Sequence, residues 1–110
     1  LLLKSVALRL TNSIRQSDRV ARLGGDEFVI LLSGVQNNLT ITKIANHIIR
    51  SLNETYAINN LSLTIGASIG ISIYPDDNAE NADEMLRQAD KAMYTAKNSG
   101  KNHYRLFEQI

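Results

Sequence analysis

Arg22-Leu23-Gly24-Gly25-Asp26-Glu27-Phe28 lies between two apolar runs, Val20 to Leu23 and Phe28 to Leu32. The flanks are β-branched and aliphatic enough to be strands, and a Gly-Gly pair supplies the positive backbone dihedrals that a tight hairpin needs. The tip is therefore expected to be rigid and nearly bare. With no side chains at Gly24 and Gly25, a group as bulky as a triphosphate can approach the backbone N–H groups, while Asp26 and Glu27 offer hard oxygen ligands to Mg²⁺. On these few residues alone a solvated surface turn is the simpler reading, since Gly and Asp are ordinary turn residues.

Working outward, Leu3, Val6, Ala7, Leu10 and Ile14 recur at helical spacing from Leu1 to about Arg15, leaving Lys4, Arg9 and Asn12 for the opposite face. Phe28 to Leu32 is apolar at every position, as expected of a strand buried on both faces and covered by helices. Ser33 to Asn38 reads as a polar loop and Thr40 as a helix cap. Ile41, Ile44, Ala45, Ile48, Ile49 and Leu52 then form the stripe of a second helix.

Tyr56-Ala57-Ile58 and Asn59-Asn60 predict a short strand and a turn. A long alternation follows, with Leu61, Leu63, Ile65, Ala67, Ile69, Ile71 and Ile73 on one side. One half-buried strand, bent at Gly66 or Gly70, accounts for it. Pro75-Asp76-Asp77-Asn78 ends the strand. Asn81 with Glu84 makes a capping-box-like start, and Met85, Leu86, Ala89, Ala92, Met93 and Ala96 give a third helix its buried face. Gly100 stops that helix, and His103 to Phe107 adds a short edge strand. The order predicts an α+β fold with an antiparallel-rich sheet covered by helices.

At 110 residues with 44% hydrophobic content the chain is one small domain with a single core. A net charge of +1 and 5% aromatic residues disfavour a binder of long nucleic acid, whereas a nucleotide is compatible. The absence of cysteine excludes disulfides and thiolate metal sites and suits a reducing cytoplasm. His47 and His103 are widely separated and read as surface residues, so zinc is not expected. Tyr74, Tyr94 and Tyr104 are expected at the sheet rim. No apolar run approaches the ~20 residues of a membrane span. The chain opens without Met inside an apolar helical pattern, which reads as a piece of something longer.

Gly24-Gly25-Asp26-Glu27-Phe28 resembles the motif that names the GGDEF family of bacterial diguanylate cyclases. The likeness extends through Asp18-Arg19-Val20-Ala21-Arg22-Leu23, through Ser68-Ile69-Gly70-Ile71-Ser72, and through Ala89 to Asn102. It covers Leu1 to about Phe107. The resemblance implies a ferredoxin-like, palm-like sheet of the nucleotidyl cyclase kind. It also implies that residues 1–110 are a partial domain whose first strand, with a metal-binding Asp and guanine-reading Asn and Asp, lies upstream.

The implied reaction joins two GTP into cyclic di-GMP with release of pyrophosphate, using Mg²⁺ or Mn²⁺. By the same likeness Asp26 is metal ligand and candidate base, Glu27 a second acid at the metal, and Gly24 and Gly25 the place where phosphates enter. Lys97 and Lys101, which by themselves would only complement a helix C-terminus, match phosphate-binding positions. An Arg is usual where Lys101 stands, so the bidentate fork is lost there. Arg15 and Asp18, in isolation an ordinary surface pair, match the family's inhibitory site for cyclic di-GMP. His47 falls where a further Arg of that site is common.

The first expectation is thus a diguanylate cyclase domain, working as a homodimer because each copy holds one GTP, and inactive as the 110 residues alone. The alternative is a non-catalytic module that binds GTP or cyclic di-GMP and regulates an attached domain such as an EAL phosphodiesterase. The resemblance also implies a parent protein carrying sensory or EAL domains, with this segment in the cytoplasm and free of membrane contact.

Overall fold

The computed structural model describes residues 2–35, 37–100 and 102–109. The chain divides into two compact units, Leu1–Ile65 and Gly66–Ile110. The fold is α+β.

The first unit contains α1 (Leu2–Asn12), β1 (Arg19–Gly24), β2 (Glu27–Leu31), α2 (Asn38–Asn53), β3 (Tyr56–Ile58) and β4 (Leu61–Leu63). Its core is built from Val6 and Leu10 of α1 with Ala45, Ile48, Ile49 and Leu52 of α2, closed by Tyr56, which is 2% exposed. The stripe of α2 is where its periodicity places it. Its start is not: Asn37, rather than Thr40, is the N-cap, and its Oδ1 accepts from the Thr40 amide at 2.9 Å and the Thr40 hydroxyl at 3.0 Å. Asn is as good a cap as Thr, and capping from Asn37 lets the helix begin at Asn38.

Three further expectations change. The first helix ends at Asn12 instead of near Arg15, and Leu3 is exposed. Arg9 does not point to solvent. Its Nη1 donates to the carbonyls of Ser51 (2.9 Å) and Glu54 (2.6 Å) and its Nη2 to that of Thr55 (2.7 Å), so it satisfies carbonyls at the end of α2. β2 is not buried on both faces either: Phe28, Val29 and Ile30 are half-buried and Leu31 is exposed. Its described pairing is with β1 alone; pairing satisfies an edge, whereas burial of both faces needs layers packed above and below the strand.

β3 and β4 form an antiparallel hairpin, Tyr56 opposite Leu63 and Ile58 opposite Leu61. Its loop residues Asn59 and Asn60 have φ of 52° and 65°, the pair of left-handed conformations required by a two-residue turn whose twist matches the strands.

The second unit contains β5 (Ser68–Ile71), α3 (Ala82–Asn98) and β6 (His103–Leu106), with a 3₁₀ turn over Phe107–Gln109. The single long strand expected from Leu61 is two strands, β4 and β5, interrupted at residues 64–67. Alternation records which side a residue faces, not whether a ladder is continuous. At the break the Ala67 amide donates to Asn102 Oδ1 at 2.8 Å, a side chain replacing a strand partner.

β5 and β6 run parallel, Ser68 beside His103 and Ile71 beside Leu106, because α3 forms the crossover between them. Gly70 does not bend the strand; it lets α3 sit directly on it. A Cβ there would run into the Ala89 carbonyl oxygen and the Met93 amide nitrogen. Ala92 and Ala96 are fully buried on the same helix, whereas Leu86, expected on its buried face, is exposed.

Asn81 caps α3, its Oδ1 accepting from the Glu84 amide at 2.8 Å. The periodicity missed Gln88, a buried polar residue of α3 that accepts from the Ser72 hydroxyl (2.9 Å) and donates to the Asp77 carbonyl (2.8 Å), tying the loop after β5 to the helix. His103 is half-buried rather than a surface residue, with Nε2 shielded from solvent. Tyr74 and Tyr94 are exposed and Tyr104 is half-buried.

Candidate functional site

The tip of the β1–β2 hairpin is built by its glycines. Arg19 pairs with Leu31, Val20 with Ile30, Ala21 with Val29 and Arg22 with Phe28, after which Leu23 is an extra residue and Gly24 pairs with Glu27. This bulge leaves Gly25 and Asp26 as the loop. Gly24 and Gly25 have φ of 151° and 53°, and nothing lies within 4 Å of where either Cβ would be. The tip is therefore open, as a bare glycine turn predicts, and any side chain at Gly25 would be strained.

Arg22 fixes the turn. Its Nε donates to the Gly25 carbonyl at 2.8 Å. A trans peptide points its C=O and N–H in opposite directions, so capture of this carbonyl turns the Asp26 amide away from Arg22. Sequence reasoning missed this role, although an Arg on the strand entering a Gly-rich turn is the available signal.

Asp26 and Glu27 are both exposed at the tip, one in the loop and the other opening β2. As oxygen donors they suit a hard divalent cation. Among the described residues, however, no group of three His, Cys, Asp or Glu side chains is placed to hold a metal. The two carboxylates fit as part of a ligand set and do not complete one.

Arg15 and Asp18 are brought together more closely than their spacing alone requires. Arg15 Nε donates to Asp18 Oδ2 at 3.0 Å and Nη2 to Oδ1 at 2.8 Å, a bidentate fork, while the Arg15 backbone amide also donates to Oδ2 at 3.0 Å. The Asp18 carboxylate is almost fully buried beneath a guanidinium that stays half exposed. Arg15 Nη2 reaches the Ser33 carbonyl as well, at 2.6 Å. Hydrogen bonding from the Arg15 side chain holds the Asp18 carboxyl below the ordinary carboxylate range, overcoming the opposing effect of its burial. The same bond holds the Arg15 guanidinium above its usual value.

Lys97 is exposed in the last turn of α3 in the second unit, and Lys101 lies outside the described residues. His47 is exposed on α2. No helix among the described residues is long and apolar enough to cross a membrane.

The family model for the diguanylate cyclase GGDEF domain matches residues 1–103. The chain is 41% identical over 108 residues to the bifunctional diguanylate cyclase/cyclic di-GMP phosphodiesterase MucR of Pseudomonas aeruginosa, covering 98% of this chain and 16% of MucR. Among solved structures it is similar to a truncated form of TpbB from Pseudomonas aeruginosa comprising only the GGDEF domain, with a TM-score of 0.92 and 36% identity over 98% of this chain and 63% of that one. It is also similar to an EAL/GGDEF domain protein from M. capsulatus, with a TM-score of 0.89 and 40% identity over 96% of this chain and 68% of that one.

Proposed function

Because the chain belongs to the GGDEF family of diguanylate cyclase domains, we propose that it serves the condensation of two GTP into cyclic di-GMP and pyrophosphate, in cytoplasmic second-messenger signalling. The observation that carries this reading is the tip: an intact Gly24-Gly25-Asp26-Glu27 turn, open above both glycines and held by Arg22.

The reaction needs a 3′-hydroxyl to attack an α-phosphate, and the residues divide that work. Gly24 and Gly25 leave room for phosphate oxygens against the backbone. Asp26 and Glu27 contribute two of the oxygen ligands for Mg²⁺ or Mn²⁺, and Asp26 is the candidate acceptor of the hydroxyl proton. A bound divalent cation would neutralise phosphate charge and acidify the attacking hydroxyl. Lys97, with Lys101 after it, supplies cationic contacts to the triphosphate. Arg15 and Asp18 form a product-binding site for cyclic di-GMP, the guanidinium fork being suited to phosphate and guanine edges.

Each copy offers one tip, so two copies in a twofold arrangement are needed to join two GTP, with sensory or EAL domains of a longer protein bringing them together. With only two carboxylates at the tip and no third metal ligand beside them among the described residues, the 110 residues by themselves are expected to turn over GTP poorly.

The test is Mg²⁺-dependent conversion of GTP to cyclic di-GMP by the 110-residue chain and by the parent protein, each with and without Asp26→Asn. An active parent protein that loses ~10³-fold or more in rate on this substitution supports the reading. Near-normal turnover in the variant would remove Asp26 from the mechanism. Binding of cyclic di-GMP without turnover by the parent protein would favour a regulatory module instead.

A further inference from the structure

Beside the Arg15–Asp18 pair the first unit has an open depression of about 570 Å³ whose walls include Thr11, Asn12, Arg15, Gln16 and Arg19. His47 is not among its lining residues. Among the described residues Asp18 is the one carboxylate in its wall, and its charge is already matched by the Arg15 fork. Arg19 is a second guanidinium at the same opening, and among the described residues that line it there is no further acid to oppose it.

The Arg19 side chain is held in place by its neighbours. Nη1 donates to the carbonyls of Gln16 and Asp18, both at 3.1 Å, which closes the turn between α1 and β1. Nε and Nη2 have no protein acceptor among the described residues. A guanidinium anchored through one nitrogen, with the others unspent, is pre-organised to receive an anion, because little side-chain freedom remains to be lost.

We propose that Arg19 is a second anion-binding residue of this depression, contacting one phosphodiester of a cyclic dinucleotide while Arg15 serves the rest of the ligand. The inference rests on the reading of Arg15 and Asp18 as a product site and adds to it a residue on β1. It gives the site a guanidinium whose Nε and Nη2 are unspent, beside an Arg15 whose Nε and Nη2 are engaged by Asp18, where a His, not an Arg, stands at position 47. A ligand with two phosphodiesters meets two guanidinium groups, one on each side of Asp18 in the sequence.

The experiment is calorimetric titration of the 110-residue chain with cyclic di-GMP, using the parent, Arg19→Ala, Arg19→Lys and Arg15→Ala, with a melting curve for each. A charge-assisted hydrogen bond lost on Arg19→Ala should weaken binding roughly tenfold or more. Arg19→Lys should recover part of that loss, since the charge stays and the fork does not.

Unchanged affinity in Arg19→Ala, with Arg15→Ala weakened, would overturn the role of Arg19 and leave the product site standing. No binding to the parent would overturn the product site and this inference together. Equal losses in Arg19→Ala and Arg19→Lys, matched by equal falls in melting temperature, would reduce Arg19 to a support for the Gln16 and Asp18 carbonyls and likewise overturn the proposal.

Discussion

The Arg9 guanidinium lies 3.6 Å from the centroid of the Tyr56 ring while its nitrogens hold the carbonyls of Ser51, Glu54 and Thr55. One side chain from α1 thus closes the end of α2 and covers the most deeply buried large residue of the first unit. Cation–π attraction contributes about 0.5–2 kcal/mol and hydrogen bonds to charged groups about 1.5–3 kcal/mol, less what water returns to an exposed carbonyl. Arg9→Ala should lower unfolding stability by about 2 kcal/mol in a urea titration. Arg9→Lys, which cannot reach three carbonyls at once, should fall between the two, and stability equal to the parent in Arg9→Ala would show the contact to be incidental.

Gly70 makes a sharper prediction. Added Cβ atoms are tolerated where a flexible side chain can yield, but here the obstacles are backbone atoms of α3 at Ala89 and Met93. Gly70→Ala must push the helix off β5, and overpacking of this kind costs about 1–3 kcal/mol or more. Gly24→Ala, with open space around it, should be affected through backbone strain alone. The check is the urea midpoint of both variants. A Gly70→Ala chain as stable as the parent would mean that α3 and β5 slide apart without loss.

These two positions also show what could and could not be read from the residues. Periodicity located Ile48, Ile49, Leu52, Ala92 and Ala96 in the core because burial of a helix face leaves a spacing behind. The Gly-Gly tip was legible because only glycine suits its backbone. Arg9 was misplaced, since a long side chain can cross to another helix and its position on a helical wheel does not say so. The long alternation from Leu61 hid a break, because a strand without a ladder keeps the same alternation. Arg15 and Asp18 were legible as a pair, but the burial of the carboxylate depends on the turn folding over it, with the Ser33 carbonyl joined to the same guanidinium, and spacing carries no trace of that.

Asp18 sets a pH dependence whose direction follows from its lowered pKa. In the unfolded chain it titrates near the ordinary value, about 3.9. The depressed folded value means that the stabilisation is fully present above about pH 4–5 and is lost as pH falls through the folded pKa. Asp18→Asn should therefore be less stable than the parent at neutral pH, with the gap shrinking as the pH is lowered past 4. Melting temperatures of both chains from pH 7 down to pH 2.5 would show it. A gap that stays constant over that range would mean that Asp18 acts by hydrogen bonding in either protonation state.

Lys97 separates substrate binding from everything else the chain does. It is exposed in the last turn of α3, so in the absence of ligand its charge only complements the helix end, a contribution of about 0.3–1 kcal/mol to stability at most. If instead it holds a triphosphate, Lys97→Ala removes a charge-assisted contact and should weaken GTP binding by about tenfold while leaving the melting temperature of the ligand-free chain nearly unchanged. Lys97→Arg should retain most of the affinity, because the charge is preserved at the same helix end. Equilibrium titration with GTP in Mg²⁺ buffer, for the parent protein and both variants, distinguishes the cases. Unchanged affinity in Lys97→Ala would return the residue to its helix-end role and leave phosphate binding to the hairpin tip.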